Sequence, residues 1–210
     1  MKVIVFGATG SIGRLAVKQL LTDGYDVTAF ARRPERMDDL SNPRLTLAKG
    51  DATDAATVAN TIAGHDAVVV TLGAGASRKS TIRSQGTLNV IQGMHQHGVR
   101  RLICQSTLGA HESWANLNFF WKRIMFGALL RPVFLDHELQ ENLVRASGLD
   151  WTIVRPSAFN DKSPIGRFKI GFGPSERRLT LKIARRDVAA FLARQLSEPV
   201  WLRRAVGISN

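Results

Sequence analysis

The chain of 210 residues has a single cysteine, a single tyrosine, and only 17 acidic side chains against 29 lysines and arginines. One cysteine excludes a disulfide framework. The apolar neighbours of Cys104, Leu102 and Ile103, predict a buried reduced thiol with no base fixed beside it. No apolar run is long enough for a membrane span. No Pro/Gly/Ser-rich linker, internal repeat or low-complexity tract divides the chain, and the opening residues already read as a strand, leaving no room for a signal or transit peptide. These absences predict one cytoplasmic domain over 1–210, as monomer or dimer. The shortage of acid leaves a net charge of +12, which invites a nucleic-acid reading. The basic residues are dispersed as Arg pairs, however, at 32–33, 100–101, 177–178, 185–186 and 203–204, and no basic helix, zinc site or RNA-binding aromatic motif organises them. Scattered surface charge plus an anionic ligand accounts for the excess, so no nucleic-acid partner is expected. His95 and His97 are two apart, off a common helix face, so no metal site is expected either.

The most informative stretch is residues 3–14. Four apolar residues, Val3 to Phe6, run into Gly7-x-x-Gly10-x-x-Gly13, and a helical stripe of Ile12, Ala16 and Leu20 follows. A buried strand, a tight glycine turn and a helix N-terminus form the phosphate-binding corner of a dinucleotide fold. The helix start offers free N–H groups and a positive dipole end, and the glycines allow close backbone approach. Strand patterns follow at 2–6, 26–30, 45–49, 67–72, 101–106 and 151–155. Helix patterns lie at 11–23, 54–63, 80–97, 133–147 and 186–197. Such alternation predicts an α/β, Rossmann-like doubly wound parallel sheet in the order 3-2-1-4-5-6. Ligands of such sheets bind beyond the carboxyl ends of the strands.

Those ends nominate the cofactor residues: Gly7, Thr9, Gly10, Ser11, Ile12 and Gly13; Arg32 and Arg33; Asp51 and Ala52; Leu72 and Gly73; Ser106 and Thr107; Pro156. The second strand ends Phe30-Ala31-Arg32-Arg33, with no carboxylate where an NAD-binding chain would hold the ribose hydroxyls. Two guanidiniums there suit a 2′-phosphate, so NADP(H) is the expected cofactor. Asp51 either hydrogen-bonds the adenine or, with Asp54, caps the helix at 54–63. Asp187 reads as the N-cap of the last helix.

Two stretches break the alternation. Residues 113–135 carry Trp114, Phe119, Phe120, Trp121 and Phe126 with few charges, which suits a lid, an oligomer interface or an amphipathic helix packed on the domain. Residues 158–182, rich in Gly, Pro and basic groups, read as a substrate-side insertion.

With the glycine loop, Arg32-Arg33, Gly50-Asp51, Leu72-Gly73 and the segment Ser147–Pro156 in view, the chain resembles the atypical short-chain dehydrogenases with an NAD(P)H-binding domain. It is most similar to the biliverdin reductase B/flavin reductase group, with NmrA-like proteins as more distant relatives. That resemblance covers nearly the whole chain. It implies a nicotinamide-side serine at Ser106 and an Asp-His pair, Asp136-His137, opening the helix before the sixth strand. The chain departs from ordinary short-chain dehydrogenases in lacking their Tyr-x-x-x-Lys pair. Val133 and His137 stand at those positions, and Tyr25 lies in the turn before the second strand. The histidine that the group places after its sixth strand is matched by Ala158, which weighs against tetrapyrrole reduction in particular. The expected activity is NADPH-dependent reduction of a planar conjugated acceptor (flavin, quinone or tetrapyrrole-like), because the cofactor carries the hydride chemistry. Ser106 orients the nicotinamide or acceptor in this reading, and His137 relays a proton near neutral pH. The alternative is a non-catalytic NADP(H)-binding redox sensor of NmrA type.

Overall fold

The computed structural model describes residues 1–75, 77, 80–164 and 166–210, so the segment 158–182 is described except at residue 165. The chain forms β1 (Lys2–Phe6), α1 (Gly13–Thr22), β2 (Asp26–Ala31), β3 (Leu45–Lys49), α2 (Ala55–Ile62), β4 (Ala67–Val70), α3 (Ile82–Gln96), β5 (Arg101–Gln105), α4 (Arg131–Ala146), β6 (Asp150–Pro156), β7 (Ala158–Asn160), β8 (Lys169–Ile170), β9 (Lys182–Ala184), α5 (Arg185–Arg194) and β10 (Arg204–Ser209). The main sheet runs β3-β2-β1-β4-β5-β6-β10-β8. The predicted six-strand order is present, extended by two strands. Every pairing is parallel except β10 with β8. β7 and β9 form a separate parallel pair beyond the end of β6.

Strand alternation divides the core between the two faces of the sheet. Val3 and Val5 of β1 pack with Val17 and Leu20 of α1 and with Val188, Phe191 and Leu192 of α5. Ile4 and Phe6 face the other way, onto Val58 and Ile62 of α2, Val90 and Met94 of α3 and Val144 of α4. Both faces of β1 are therefore sealed, which is why Val3–Phe6 is unbroken hydrophobe. Cys104 is buried in the second cluster.

Several boundaries differ from the sequence pattern. β4 stops at Val70, and Thr71 and Leu72 leave the sheet at the carboxyl edge. α4 begins at Arg131, with Pro132 in its first turn, where the missing N–H costs nothing. Asp136 and His137 therefore sit in its second turn and do not open it. α5 begins at Arg185, and the residue preceding it is Ala184, so Asp187 is not the N-cap. Asp187 is buried in the first turn and accepts the Gly166 N–H at 3.1 Å. β7 to β10 are absent from the sequence reading; β7, β8 and β9 have only two or three residues, and β10 contains Gly207 and follows Arg203, whose φ is +53°.

Residues 111–130 are helical throughout much of their length. A 3₁₀ turn covers His111–Asn116 and a π-helical run covers Phe120–Leu129, leading directly into α4. Phe126 stacks on Phe134 with centroids 4.8 Å apart, and Trp114 and Trp121 pack around them with Leu108, Leu117 and Leu181. Phe119 and Phe120 remain 73% and 50% exposed. Among the described residues no helix is long and apolar enough to cross a membrane.

Candidate functional site

The glycine loop is built against β4. Gly7 has φ +82°, a left-handed backbone that favours glycine, and a Cβ there would lie 2.6 Å from the Thr71 carbonyl oxygen. A Cβ on Gly13 would fall onto the Gly7 carbonyl and 2.7 Å from Thr71 Oγ1. Thr71 in turn donates its N–H and its hydroxyl to the Phe6 carbonyl, at 2.9 and 3.0 Å. The first and third glycines thus let the turn and α1 close onto one residue of the neighbouring strand. Gly10 bonds back to the Gly7 carbonyl at 2.9 Å, and no side chain caps α1 at Ile12. Thr9, Gly10 and Ser11 remain open to solvent at the positive end of the helix. The exposed amides at this helix start suit an anion, and a Cβ at Gly7 or Gly13 would push the turn off Thr71.

The other predicted cofactor residues follow along the same edge. Arg32 and Arg33 are exposed where β2 ends. Arg14, just past the third glycine, binds the Arg36 carbonyl and pairs with Asp39, tying α1 to the turn that carries the two arginines. Asp51 accepts the amide and hydroxyl of Thr53, at 2.9 and 2.8 Å. Those bonds, with the nearby charge of Arg32, hold its carboxyl below the usual range. The helix cap is Asp54, which accepts the amides of Ala56 and Thr57, so Asp51 is free of that duty. Ala52 and Leu72 are buried against Gly86, where an added Cβ would meet Leu72 at 2.6 Å, and the Ala52 carbonyl is held by Asn89. Gly73 is exposed beside them.

At the β5 end, Ser106 donates its N–H to the Val154 carbonyl at 2.7 Å, while its buried Oγ has no partner among the described residues. Ser157, at the end of β6, likewise has a buried, unpartnered Oγ. Thr107 is half-buried, and the Pro156 carbonyl accepts from Leu108. Two orphaned hydroxyls at adjacent strand ends fit a site that a ligand completes.

His137 departs from its predicted role. It is buried on α4, and burial, with the charge of Arg83, pushes its pKa down to about 3. An imidazole held neutral at that level cannot relay protons by cycling through its cation near pH 7. Asp136 does not serve His137 either. Its carboxylate reaches across to α3, accepting the amides of Arg83 and Ser84 at 3.1 and 3.0 Å and the Ser84 hydroxyl at 2.5 Å.

A second buried charge network was not anticipated. Arg155 of β6, only 2% exposed, donates to Glu141 of α4 and to Glu112 of the 3₁₀ turn. Burial raises the Glu112 carboxyl, but Arg155 outweighs it and sets the pKa at about 2. The signal lay in Trp151–Arg155 itself: a cation ending a buried apolar strand demands a partner. For Arg14 no sequence signal pointed to Asp39.

A cleft of about 580 Å³ lies at the opposite, amino edge of the sheet, between His65, Asp66, Arg100, Asp150 and Gln195. Its one lining glycine, Gly98, belongs to the turn that ends α3, and open α/β sheets bind ligands at their carboxyl edge. The glycine turn and the uncapped start of α1 both lie at the carboxyl edge.

An open parallel sheet with this turn, this order and this edge defines a Rossmann-like dinucleotide-binding protein. The chain belongs to the NAD(P)H-binding family, whose model matches residues 7–199. It is 27% identical over 220 residues to the yeast protein UPF0659 protein YMR090W (Saccharomyces cerevisiae), covering 100% of this chain and 93% of that one. Among solved structures it is similar to the oxidoreductase ylbE from Lactococcus lactis, with TM-score 0.84 and 21% identity, covering 100% and 91% of the two chains. It is also similar to ChuY, an anaerobilin reductase from Escherichia coli O157:H7, with TM-score 0.82 and 22% identity, covering 100% and 97%.

Proposed function

We propose that the chain is an NADPH-dependent reductase of a planar conjugated acceptor. The observation that carries the reading is the pairing of two buried, unpartnered hydroxyls, Ser106 and Ser157, with a site whose histidine is held neutral. Such a site orients a ligand and offers no strong acid or base. Gly7, Thr9, Gly10, Ser11, Ile12 and Gly13 would cradle the diphosphate at the start of α1. Arg32 and Arg33 would grip the 2′-phosphate, selecting NADPH over NADH. Asp51 and Ala52 would border the adenine, and Leu72 and Gly73 the adenosine ribose. Thr107 and Pro156 would flank the nicotinamide, with Ser106 orienting it. Bound NADPH supplies the hydride. Flavins, quinones and linear tetrapyrroles take hydride at a conjugated position, and the proton comes from solvent, so a missing Tyr-x-x-x-Lys pair is tolerable. That ChuY is named an anaerobilin reductase supports a tetrapyrrole-like acceptor, although Ala158 stands on β7 where the related group has a histidine. The segments 113–135 and 158–182 would cover the acceptor.

The test is NADPH oxidation by the purified protein with FMN, a quinone and biliverdin, each against NADH. Turnover with at least one acceptor, faster with NADPH, is expected. Tight NADPH binding without turnover on any of them would overturn the reductase reading. It would favour the NADP(H)-sensing alternative, which the exposed Phe119 and Phe120 support by offering a surface to a protein partner.

A further inference from the structure

Arg83 is a cation without an adequate counter-charge. Its side chain is 12% exposed, and Nε and Nη1 are buried with no hydrogen-bond partner among the described residues. The nearest carboxylate, Asp136, stands 3.6 Å from Nη1. That carboxylate is already engaged. It accepts three hydrogen bonds from the first turn of α3, a helix whose own preceding residue, Thr81, provides no side-chain cap. Asp136 therefore acts as a cap supplied from α4, and it meets the guanidinium as a charge contact at 3.6 Å that leaves Nε and Nη1 without a hydrogen bond. Burial lowers the Arg83 pKa despite Asp136, and the same uncompensated charge depresses His137. Leaving a buried guanidinium donor unmatched is costly, and such donors in native proteins call for an explanation. Here the remaining nitrogen, Nη2, borders Gly73 on the open carboxyl edge, where a glycine Cβ would be 3.9 Å from it.

We infer that Arg83 is the anchor for an anionic substituent of the acceptor, a carboxylate or phosphate monoester that enters beside Gly73 and completes the guanidinium. The inference rests on the carboxyl edge being the reductase site, and it narrows the acceptor class. A planar acceptor bearing an acidic side arm is preferred to its neutral analogue. Arg83 reads the arm, leaving the conjugated ring free to meet the nicotinamide end at Ser106.

The experiment uses two matched pairs, biliverdin against its dimethyl ester and FMN against riboflavin, with the wild-type chain, Arg83→Met and Arg83→Lys. A charge-assisted contact of this kind corresponds to about 10- to 100-fold in affinity. The acid-to-neutral ratio of kcat/KM in at least one pair should collapse by that factor in Arg83→Met, with Arg83→Lys intermediate. The pair that responds tells carboxylate from phosphate. A ratio unchanged in both pairs overturns the inference, as does an NADPH Kd that rises as much as the acid's KM, which would give Arg83 to the cofactor diphosphate. Equilibrium binding of the same pairs to the NADP⁺-loaded protein separates this inference from the reductase reading. An acid preference that binding shows and Arg83→Met abolishes upholds the anchor even if no acceptor turns over. If Arg83→Met fails to fold, the Lys variant carries the comparison, and an undiminished ratio there with an unchanged NADPH Kd overturns the inference.

Discussion

Arg155 on β6 and Glu141 on α4 face each other in a two-pronged ion pair, Nε to Oε1 at 2.8 Å and Nη2 to Oε2 at 2.6 Å, with 2% and 0% of the side chains exposed. The pair joins the strand end that carries Pro156 and Ser157 to the helix that carries Asp136 and His137. Removing Glu141 leaves the buried Arg155 with only the more exposed Glu112 as a counter-charge, and breaking such a buried pair costs about 3–5 kcal/mol. Glu141→Leu is therefore expected to lower the Tm by roughly 6–20 °C. The double variant Arg155→Met with Glu141→Leu should recover much of that loss, because neither charge is left behind. Thermal denaturation of the single and double variants checks both statements. A double variant no better than the single would show that packing, not charge, sets the cost.

Arg32 and Arg33 hold no fold-critical position, being exposed at the end of β2. Replacing both with Ala should raise the NADPH Kd by about tenfold or more, the worth of a charge-assisted bond. The NADH Kd should change little. Titration calorimetry with each nucleotide is the measurement, and equal losses for both would remove the 2′-phosphate assignment.

The glycine loop yields a contrast between two alanine substitutions. Gly13→Ala drives a methyl into the Gly7 carbonyl and Thr71 Oγ1, so NADPH binding and Tm should both fall. Gly173→Ala meets nothing within 4 Å and should stay within about 0.5 kcal/mol of the parent. Nucleotide titration and thermal melts of the two proteins provide the comparison.

His137 gives the fold a pH dependence. The folded chain keeps it neutral down to about pH 3, whereas an unconstrained histidine protonates near 6.5. Between those values the unfolded state binds the extra proton. Stability is thus complete above about pH 6.5 and declines as the pH falls, by up to about 1.4 kcal/mol per pH unit. Glu112, whose carboxyl is lowered from 4.5 to about 2, adds its own loss only at lower pH. Urea unfolding between pH 7.5 and 5 isolates the histidine, and His137→Gln should flatten the slope there.

Much of the fold was legible because β1 and the glycine loop encode their surroundings locally. Val3–Phe6 is apolar on both faces, and Gly13 answers to the Gly7 carbonyl within the same turn. What stayed hidden depends on partners distant in sequence. Thr71 defines the cradle by lying under Gly7, a relation set by the β1–β4 pairing. Asp136 looked like a partner for the histidine beside it, yet it caps a helix some fifty residues earlier. The surroundings of His137 were hidden for the same reason: its burial and the nearby Arg83 are properties of the packed α3–α4 pair and leave no local mark. The strands β7, β8 and β9 escaped because two or three residues carry no periodicity, and β10 because Gly207 and the exposed Arg204 interrupt its apolar pattern.

Cys104 lies at the centre of β5, wholly enclosed, and burial, with Glu141 nearby, pushes its thiol pKa far up. A sulfur so placed, under the helices that cover this face of the sheet, is shielded from thiol reagents until those helices lift away. The molecule therefore contains its own clock for opening. The rate at which a disulfide dye labels the native protein should report how often that face is uncovered.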